Sequence, residues 1–342
     1  VDKRDFDYNL PSQQIATHPP TQRRDARLLC LDRDTGALSD QTFAELPDQL
    51  TAGDVLVFND TRVIPARLFG HKQSGGRVEI LIEQILGQHQ ASAKIRANRA
   101  PTIGSRIQVG AAELMVAARD GELFTLETES SQPIAELVEH AGHTPLPPYI
   151  QRPDTADDRV RYQSVWARHD GAVAAPTASL HFDHALLTEL AARGIETATV
   201  TLHVGAGTYQ ALRDSDIHTQ RLHSERLSVD AHTCQTIDAA RARANRVVAI
   251  GTTVVRALET AAHAAPTDAT IAPYNGATEL FVKPGDTFHV TDAMLTNFHE
   301  PQSSLLMLVA AFAGHETVLN AYHHALAHDY RFLSYGDAMW IA

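Results

Sequence analysis

The hydrophobic period of this chain changes part-way along, and that change restricts its fold more than any other feature. Short segments at 66–69, 77–84, 91–97, 106–109, 114–118 and 123–127 carry the apolar spacing of strands, and Gly75-Gly76, Gly104, Gly110 and Asp120-Gly121 punctuate them. Many short strands with regular turn signals predict a small barrel or sandwich. On either side the pattern differs. Residues 28–32 and 37–42 flank Asp34-Thr35-Gly36 as a hairpin, and 54–58 is a short apolar strand. Beyond residue 180 the pattern is α/β: Asp183 and Asp230 precede helical stretches as N-caps, Gly194 closes one, and strands are expected at 197–204 and 246–250. Further helices are expected at 133–140, 254–262, 303–312 and 317–328. A β-rich unit therefore interrupts or follows an α/β core. The proline-rich stretch 144–180 is irregular, and its Tyr149, Ile150, Tyr162, Val165 and Trp166 predict an ordered, partly buried loop.

A length of 342 residues suits about two domains, and 44% apolar with 20% charged residues is globular composition. The longest apolar run, 305–312, falls short of the roughly 20 residues that a membrane helix needs. The opening Val1-Asp2-Lys3-Arg4-Asp5 lacks the apolar region of a signal peptide. Two cysteines, Cys30 and Cys234, give no disulfide framework and point to a reducing, cytoplasmic setting. The absence of Cys-x-x-Cys and His-Glu-x-x-His removes the zinc-ribbon, iron–sulfur and zincin classes. His324 and His328 stand four apart on a predicted helix and offer two ligand atoms on one face. With no third ligand in view they read as a solvated face, and no metal is expected.

The formal charge of −12 argues at first against a phosphate-bearing partner. Its distribution argues otherwise. Residues 62–106 hold eight basic side chains (Arg62, Arg67, Lys72, Arg77, Lys94, Arg96, Arg99 and Arg106) against Glu79 and Glu83, a net +6, which leaves −18 elsewhere. A local field binds phosphate, not a net charge.

Several short strings combine glycines with polar groups. The strand at 246–250 runs into Gly251-Thr252-Thr253 and a helix, whose free N–H groups attract anions. Arg256 on the first turn offers a fork to a carboxylate, and Glu259 shares its face. His203-Val-Gly205-Ala-Gly207-Thr208 follows a strand and allows close backbone approach, but Gln210 breaks the dinucleotide fingerprint. Asn59-Asp60-Thr61-Arg62 is a polar turn at a strand end, where α/β sites gather.

In order along the chain stand Asn59-Asp-Thr-Arg-Val-Ile-Pro-Ala-Arg67, Pro145-Leu-Pro-Pro-Tyr-Ile150, Ala172-Val-Ala-Ala-Pro-Thr-Ala178 with Leu180-His-Phe182, and Thr201-Leu-His-Val-Gly205 with Gly207-Thr208. They continue as Gly251-Thr-Thr253 with Val255-Arg-Ala-Leu-Glu259, Leu295-Thr-Asn-Phe-His299, and Tyr330-Arg-Phe332 with Ser334-Tyr-Gly-Asp-Ala-Met339. The ensemble closely resembles the S-adenosylmethionine:tRNA ribosyltransferase-isomerases of queuosine biosynthesis, over about residues 5–341. Ser179, Tyr209 and Val254 depart from the family's usual Gly, Phe and Ser.

The resemblance implies an α/β core domain, residues 1–65 plus 145–342, with an inserted small β-barrel domain at 66–144. It implies transfer and isomerisation of the ribosyl part of S-adenosylmethionine onto 7-aminomethyl-7-deazaguanine at the tRNA wobble position. The products are epoxyqueuosine-tRNA, adenine and methionine. The donor is consumed as a substrate, so no cofactor is expected, and a monomer is. His181 and His203, which titrate near working pH, are the first acid/base candidates, with Asp60 and Asp337. Thr252, Thr253 and Arg256 are expected to hold the donor's carboxylate and Glu259 its ammonium, with Gly205, Gly207, Thr208 and Asn297 along the rest of it. Arg62, Lys72, Lys94, Arg96, Arg99, Arg152 and His299 are the candidates for tRNA contact. Alternatives from other classes are an S-adenosylmethionine-dependent methyltransferase, prompted by strand-Gly-Ala-Gly, and a non-enzymatic tRNA-binding module, prompted by the basic insert.

Overall fold

Five consecutive buried residues, Val55–Asn59, form the strand about which the larger sheet is built. Such a run suits a parallel strand covered on both faces. The computed structural model describes residues 2–129, 131–209, 212 and 214–342. In chain order, the body opens with β1 (Arg27–Leu31), β2 (Leu38–Thr42), β3 (Val55–Asn59) and β4 (Thr61–Val63). Then come β5 (Arg67–Lys72), β6 (Arg77–Ile85), β7 (Gln90–Arg96), β8 (Arg106–Val109), β9 (Ala112–Asp120) and β10 (Leu123–Thr128). The return to the body runs through α1 (Ile134–Ala141), α2 (Ala156–Arg161), β11 (His169–Ala172), α3 (His184–Ala192), β12 (Glu196–Leu202), α4 (Asp214–Thr219) and β13 (Arg221–Val229). It ends with α5 (Ala231–Ala242), β14 (Val247–Ile250), α6 (Thr252–His263), β15 (Tyr274–Leu280), β16 (Ala293–Asn297), α7 (Ser304–Ala313), α8 (His315–Ala327) and β17 (Ala338–Ile341).

The nine-stranded sheet has the order β15-β13-β12-β3-β14-β16-β17-β1-β2. Its centre, β12-β3-β14-β16, is parallel. Val55 and Val57 enter the core under α5, α6 and α7, while Leu56 and Phe58 enter the opposite core with Phe182, Leu186 and Leu190. The alternating directions of a strand thus bury both faces of β3. Asp183, Asp230 and Ser303 cap α3, α5 and α7 by accepting from the N–H groups of Leu186, Thr233 and Leu306.

Strands β5 to β10 close a six-stranded barrel, β10-β7-β6-β5-β8-β9, filled by Leu68, Ile80, Ile82, Leu114, Val116 and Leu126. Body strands precede and follow it in sequence but share one sheet, so the barrel is inserted into an α/β domain. Residues 61–63 are not the turn expected: they form β4, which pairs in parallel with β11. Strands β13, β15 and β17 escaped the sequence pattern; the first two are largely exposed and polar. Among the described residues no single helix is long and apolar enough to cross a membrane.

The proline-rich stretch is ordered around Asp158, which is 1% exposed. Arg152 forks onto it at 2.7 and 2.8 Å, and the Tyr335 hydroxyl donates to it at 2.8 Å. Burial pushes this carboxyl up, but the bonds from Arg152 and Tyr335 outweigh burial and hold it well below the ordinary carboxylate value. Its stabilisation is therefore complete above the unfolded carboxyl's pKa of about 4 and fades as acid approaches the lower folded value. Replacing Asp158 with Asn leaves Arg152 without its charge partner, and we expect a loss of about 3–5 kcal/mol in chemical denaturation at neutral pH.

Candidate active site

Ligands of open α/β sheets bind beyond the carboxyl ends of parallel strands. Here β12, β14 and β16 end in Val204, Gly251 and Asn297–His299, around a slot of about 80 Å³. Gly251, at φ +99°, turns the chain from β14 into α6 and sets Thr252 and Thr253 on the helix's first turn. The N-terminal N–H groups of such a helix favour an anion. Two polar atoms at the slot, Thr253 Oγ1 and Asn297 Oδ1, are buried with no partner. Buried polar groups are ordinarily paired, so Thr253 Oγ1 is available to a ligand, whereas the Asn297 amide also interacts with the His181 ring.

The slot's phenols and its imidazole are neutral. Burial pushes the Tyr149 and Tyr209 phenols far up, so both hydroxyls keep their protons. They pair with Ser334 Oγ and the Tyr162 hydroxyl, each at 2.6 Å. Burial pushes His299 down to about 3, and its Nε2 shares a 2.8 Å bond with Thr296 Oγ1. Glu300 stands at the rim, its carboxyl raised by burial.

A larger cleft, about 630 Å³, opens between the barrel and the body. Glu83, Asp120, Glu122, Asp170 and Glu225 line it, with Lys94, Arg226, His203 and His223. His203 follows β12, whose end is locked to β3 by both halves of the Asn59 amide (2.9 and 3.0 Å). Its Nδ1 lies 2.8 Å from Thr61 Oγ1. Burial, together with Arg226 and His169, holds the His203 ring below its ordinary value, against the opposing pull of Asp60 and Asp170. Asp60 accepts from Thr201 Oγ1 at 2.6 Å and lies 3.6 Å from His169 Nε2.

One loop separates the cavities. Val204, Thr208 and Tyr209 face the slot, whereas His203, Gly205 and Gly207 face the cleft. Two carboxylates hold it by neighbouring N–H groups. Gly205 donates to Glu225 (3.2 Å) and Ala206 donates to Glu83 of the barrel (2.9 Å). Each carboxylate has its own cation: Arg256 beside Glu225 and Lys94, at 3.2 Å, beside Glu83.

A model of the family described as "queuosine biosynthesis protein" matches residues 3–341. The chain belongs to that family. It is also similar to a crystal structure of an S-adenosylmethionine tRNA ribosyltransferase from Thermotoga maritima, with 32% identity over 99% of this chain and 100% of that one, at a TM-score of 0.57.

Within this queuosine-family protein the expected site residues separate into groups. Thr208, Thr252, Thr253, Asn297 and His299 meet at the slot, which takes His299 away from any outer tRNA surface. His203, Gly205, Gly207 and Lys94 meet at the cleft, and Asp60 stands behind it. Arg256 does not pair with Glu259: it binds Glu225 and the Leu280 carbonyl, leaving Nη2 alone without a partner. Glu259 accepts from the N–H groups of His289, Val290 and Thr291, so it holds that loop rather than an ammonium. Asp337 accepts from the N–H groups of Arg27 and Arg331 and lines neither cavity. His181 also lines neither. It packs on Phe43 beside Asn297, burial lowers it to about 4, and its Nε2 has no partner at bonding geometry.

On the basic segment, Arg62, Arg67, Lys94 and Arg106 are paired with acids, and Arg152 with Asp158. Lys72, Arg77, Arg96 and Arg99 have no carboxylate partner among the described residues, although Lys72 bonds the Arg99 carbonyl. Sequence reasoning missed Glu83, Glu225 and His223. The first two lie 142 residues apart on polar strand faces, with no motif between them to mark a shared role.

Gly171, at φ +146°, would bring a Cβ to 2.8 Å from the His203 ring. We expect Gly171→Ala to turn or displace that ring while the fold survives. Imidazole resonances followed through a pH titration will show a changed His203 midpoint against unchanged surface histidines.

Proposed function

We propose that this protein transfers and isomerises the ribosyl group of S-adenosylmethionine onto 7-aminomethyl-7-deazaguanine in tRNA, giving epoxyqueuosine-tRNA, adenine and methionine. The observation that carries this proposal is the pair of cavities divided by one thin loop. A two-substrate enzyme that joins a small cationic donor to a flipped or splayed tRNA base needs two binding regions meeting at one reacting centre. Family membership and the solved ribosyltransferase support the same activity.

The chemistry of each region supports its share. The N-terminus of α6, Thr252 and Thr253 suit the donor's methionine carboxylate. The slot holds one end of the donor only, because about 80 Å³ is far below the roughly 300 Å³ of a pocket for a whole ligand. The cleft has the volume for a ribosyl group and a base, and its five carboxylates favour the donor's sulfonium. On the outer barrel face Arg96 follows Lys94 by two residues, about 7 Å along β7. This line of cations, continued by Arg99, suits the phosphates that flank the base.

The sulfonium acidifies the donor's 5′ carbon. His203 is our candidate base. In the tautomer whose Nδ1–H donates to the Thr61 hydroxyl (2.8 Å), the Nε2 lone pair is free. Proton removal gives an ylide-like centre, and adenine departs as the ring opens. The neutral aminomethyl nitrogen then bonds to the ribosyl carbon, and ring closure breaks the carbon–sulfur bond to release methionine and leave the epoxide.

Incubating the protein with isotopically labelled donor and acceptor tRNA should give adenine and methionine in equal amounts, with the ribosyl mass on the tRNA. Methylated tRNA with S-adenosylhomocysteine would establish the methyltransferase alternative, and absence of turnover with retained tRNA binding would establish the binding module. We expect His203→Gln to lower kcat by about 10²–10⁴-fold. In the parent, activity falls as pH drops through the lowered His203 value, below the ordinary imidazole pKa of about 6.5; a pH–rate profile of the variant lacks that limb. The double change Arg96→Glu and Arg99→Glu should weaken tRNA binding and flatten its log–log salt slope by about two units, with the donor KM unchanged.

A further inference from the structure

We propose that Asp40, His324 and His328 form a binding site for a borderline divalent transition ion such as zinc, on the face of the body formed by β2 and the end of α8. Each residue offers a ligand atom, and these atoms lie within 4.8 Å of one another. The two imidazoles are four residues apart on the last turns of α8, stacked with ring centroids 3.9 Å apart. The third ligand comes from an edge strand 284 positions earlier in the chain, with Asp40 Oδ2 at 2.9 Å from His324 Nε2. That distance in sequence is why the histidine pair looked like an ordinary solvated face.

The surroundings are those of a ligand set already oriented. His328 Nδ1–H donates to the His324 carbonyl at 2.8 Å, which leaves Nε2 as its ligand atom. The Tyr330 hydroxyl donates to Asp40 Oδ1 at 2.6 Å, and Arg27 Nη2 lies 3.2 Å from the same oxygen. Oδ2 is therefore the oxygen turned toward the imidazoles. Hydrogen bonds of this kind fix the tautomer and direction of metal ligands. Tetrahedral bonds of 2.0–2.1 Å ask for donor separations of about 3.4 Å, reached here by small side-chain rotations. Two imidazoles and one carboxylate with an open fourth position select zinc, cobalt or nickel over magnesium or calcium.

The bound ion would tie the edge strand to the end of α8. It would thereby brace the turn at Asp329 (φ +57°), from which the chain runs through Tyr330 to the slot residues Leu333 and Ser334. The site is independent of the proposed transfer reaction, since none of its residues lines either cavity.

The test uses the full chain stripped by a chelator and then dialysed against zinc chloride. We expect one equivalent of zinc at micromolar free metal, a tetrahedral visible spectrum with cobalt substituted, and a rise in Tm of about 3 °C at saturating zinc. His328→Ala removes an exposed ring and so keeps the fold; it should weaken zinc binding at least tenfold and abolish the Tm rise. His323→Ala, on an exposed neighbour outside the cluster, should change neither. Equal zinc affinity in the parent and His328→Ala, or no stoichiometric binding below millimolar zinc, would overturn the site.

Discussion

Two neighbouring backbone N–H groups, those of Gly205 and Ala206, are held by carboxylates from different parts of the molecule, and the arrangement of both cavities follows from that grip. Glu225 comes from the body's sheet and Glu83 from the barrel. A carboxylate accepting from backbone N–H groups makes a stronger bond than a neutral acceptor. Each also pairs with a cation through its other oxygen, Arg256 in one case and Lys94 in the other. The barrel thus does more than present a basic surface. It supplies half of the support for the loop that divides the slot from the cleft, and any shift of the barrel would be felt at that loop.

Charge is sorted by depth. At the slot, burial leaves phenols and His299 neutral, so the α6 N-terminus is the dominant positive feature there. The cleft carries five carboxylates against Lys94 and Arg226, and Arg77, Arg96 and Arg99 lie outside it on the barrel side. A cationic donor and a polyanionic acceptor are therefore drawn to different surfaces that adjoin. The overall −12 describes neither surface. Half of the segment's apparent basicity is also consumed within the fold, since Arg62, Arg67, Lys94 and Arg106 all face acids.

The fold was legible wherever local chemistry determined it. The barrel strands, the β1–β2 hairpin and the caps at Asp183 and Asp230 all follow from period, turn glycines and side-chain acceptors near helix starts. The strand β15 was hidden because its face is too exposed to alternate, and β13 because only its second half, from Glu225 to Val229, alternates in burial and that half begins on a buried Glu. At the site, partners were read poorly. Arg256 and Glu259 share a helix face and were expected to act together. The partners in space instead came from β13, whose Glu225 accepts from Arg256, and from the backbone N–H groups at 289–291, which donate to Glu259. Spacing along a helix states which residues are neighbours on it, but not which strand lies opposite.

The glycines of the loop make the same point more sharply. In sequence, Gly205 and Gly207 suggested close approach of backbone to a ligand. At Gly207 the limit is internal: a Cβ there would meet the His223 ring at 2.6 Å, and one at Gly171 would meet His203 at 2.8 Å. Both missing side chains make room for an imidazole on the cleft wall. Glycine therefore serves the cleft by letting two histidines that line it pack closely against backbone. An imidazole packed this way gains the desolvation that lowers His203 while it still lines the cleft. The requirement for glycine and the requirement for a neutral histidine are then one constraint, set by packing rather than by phosphate.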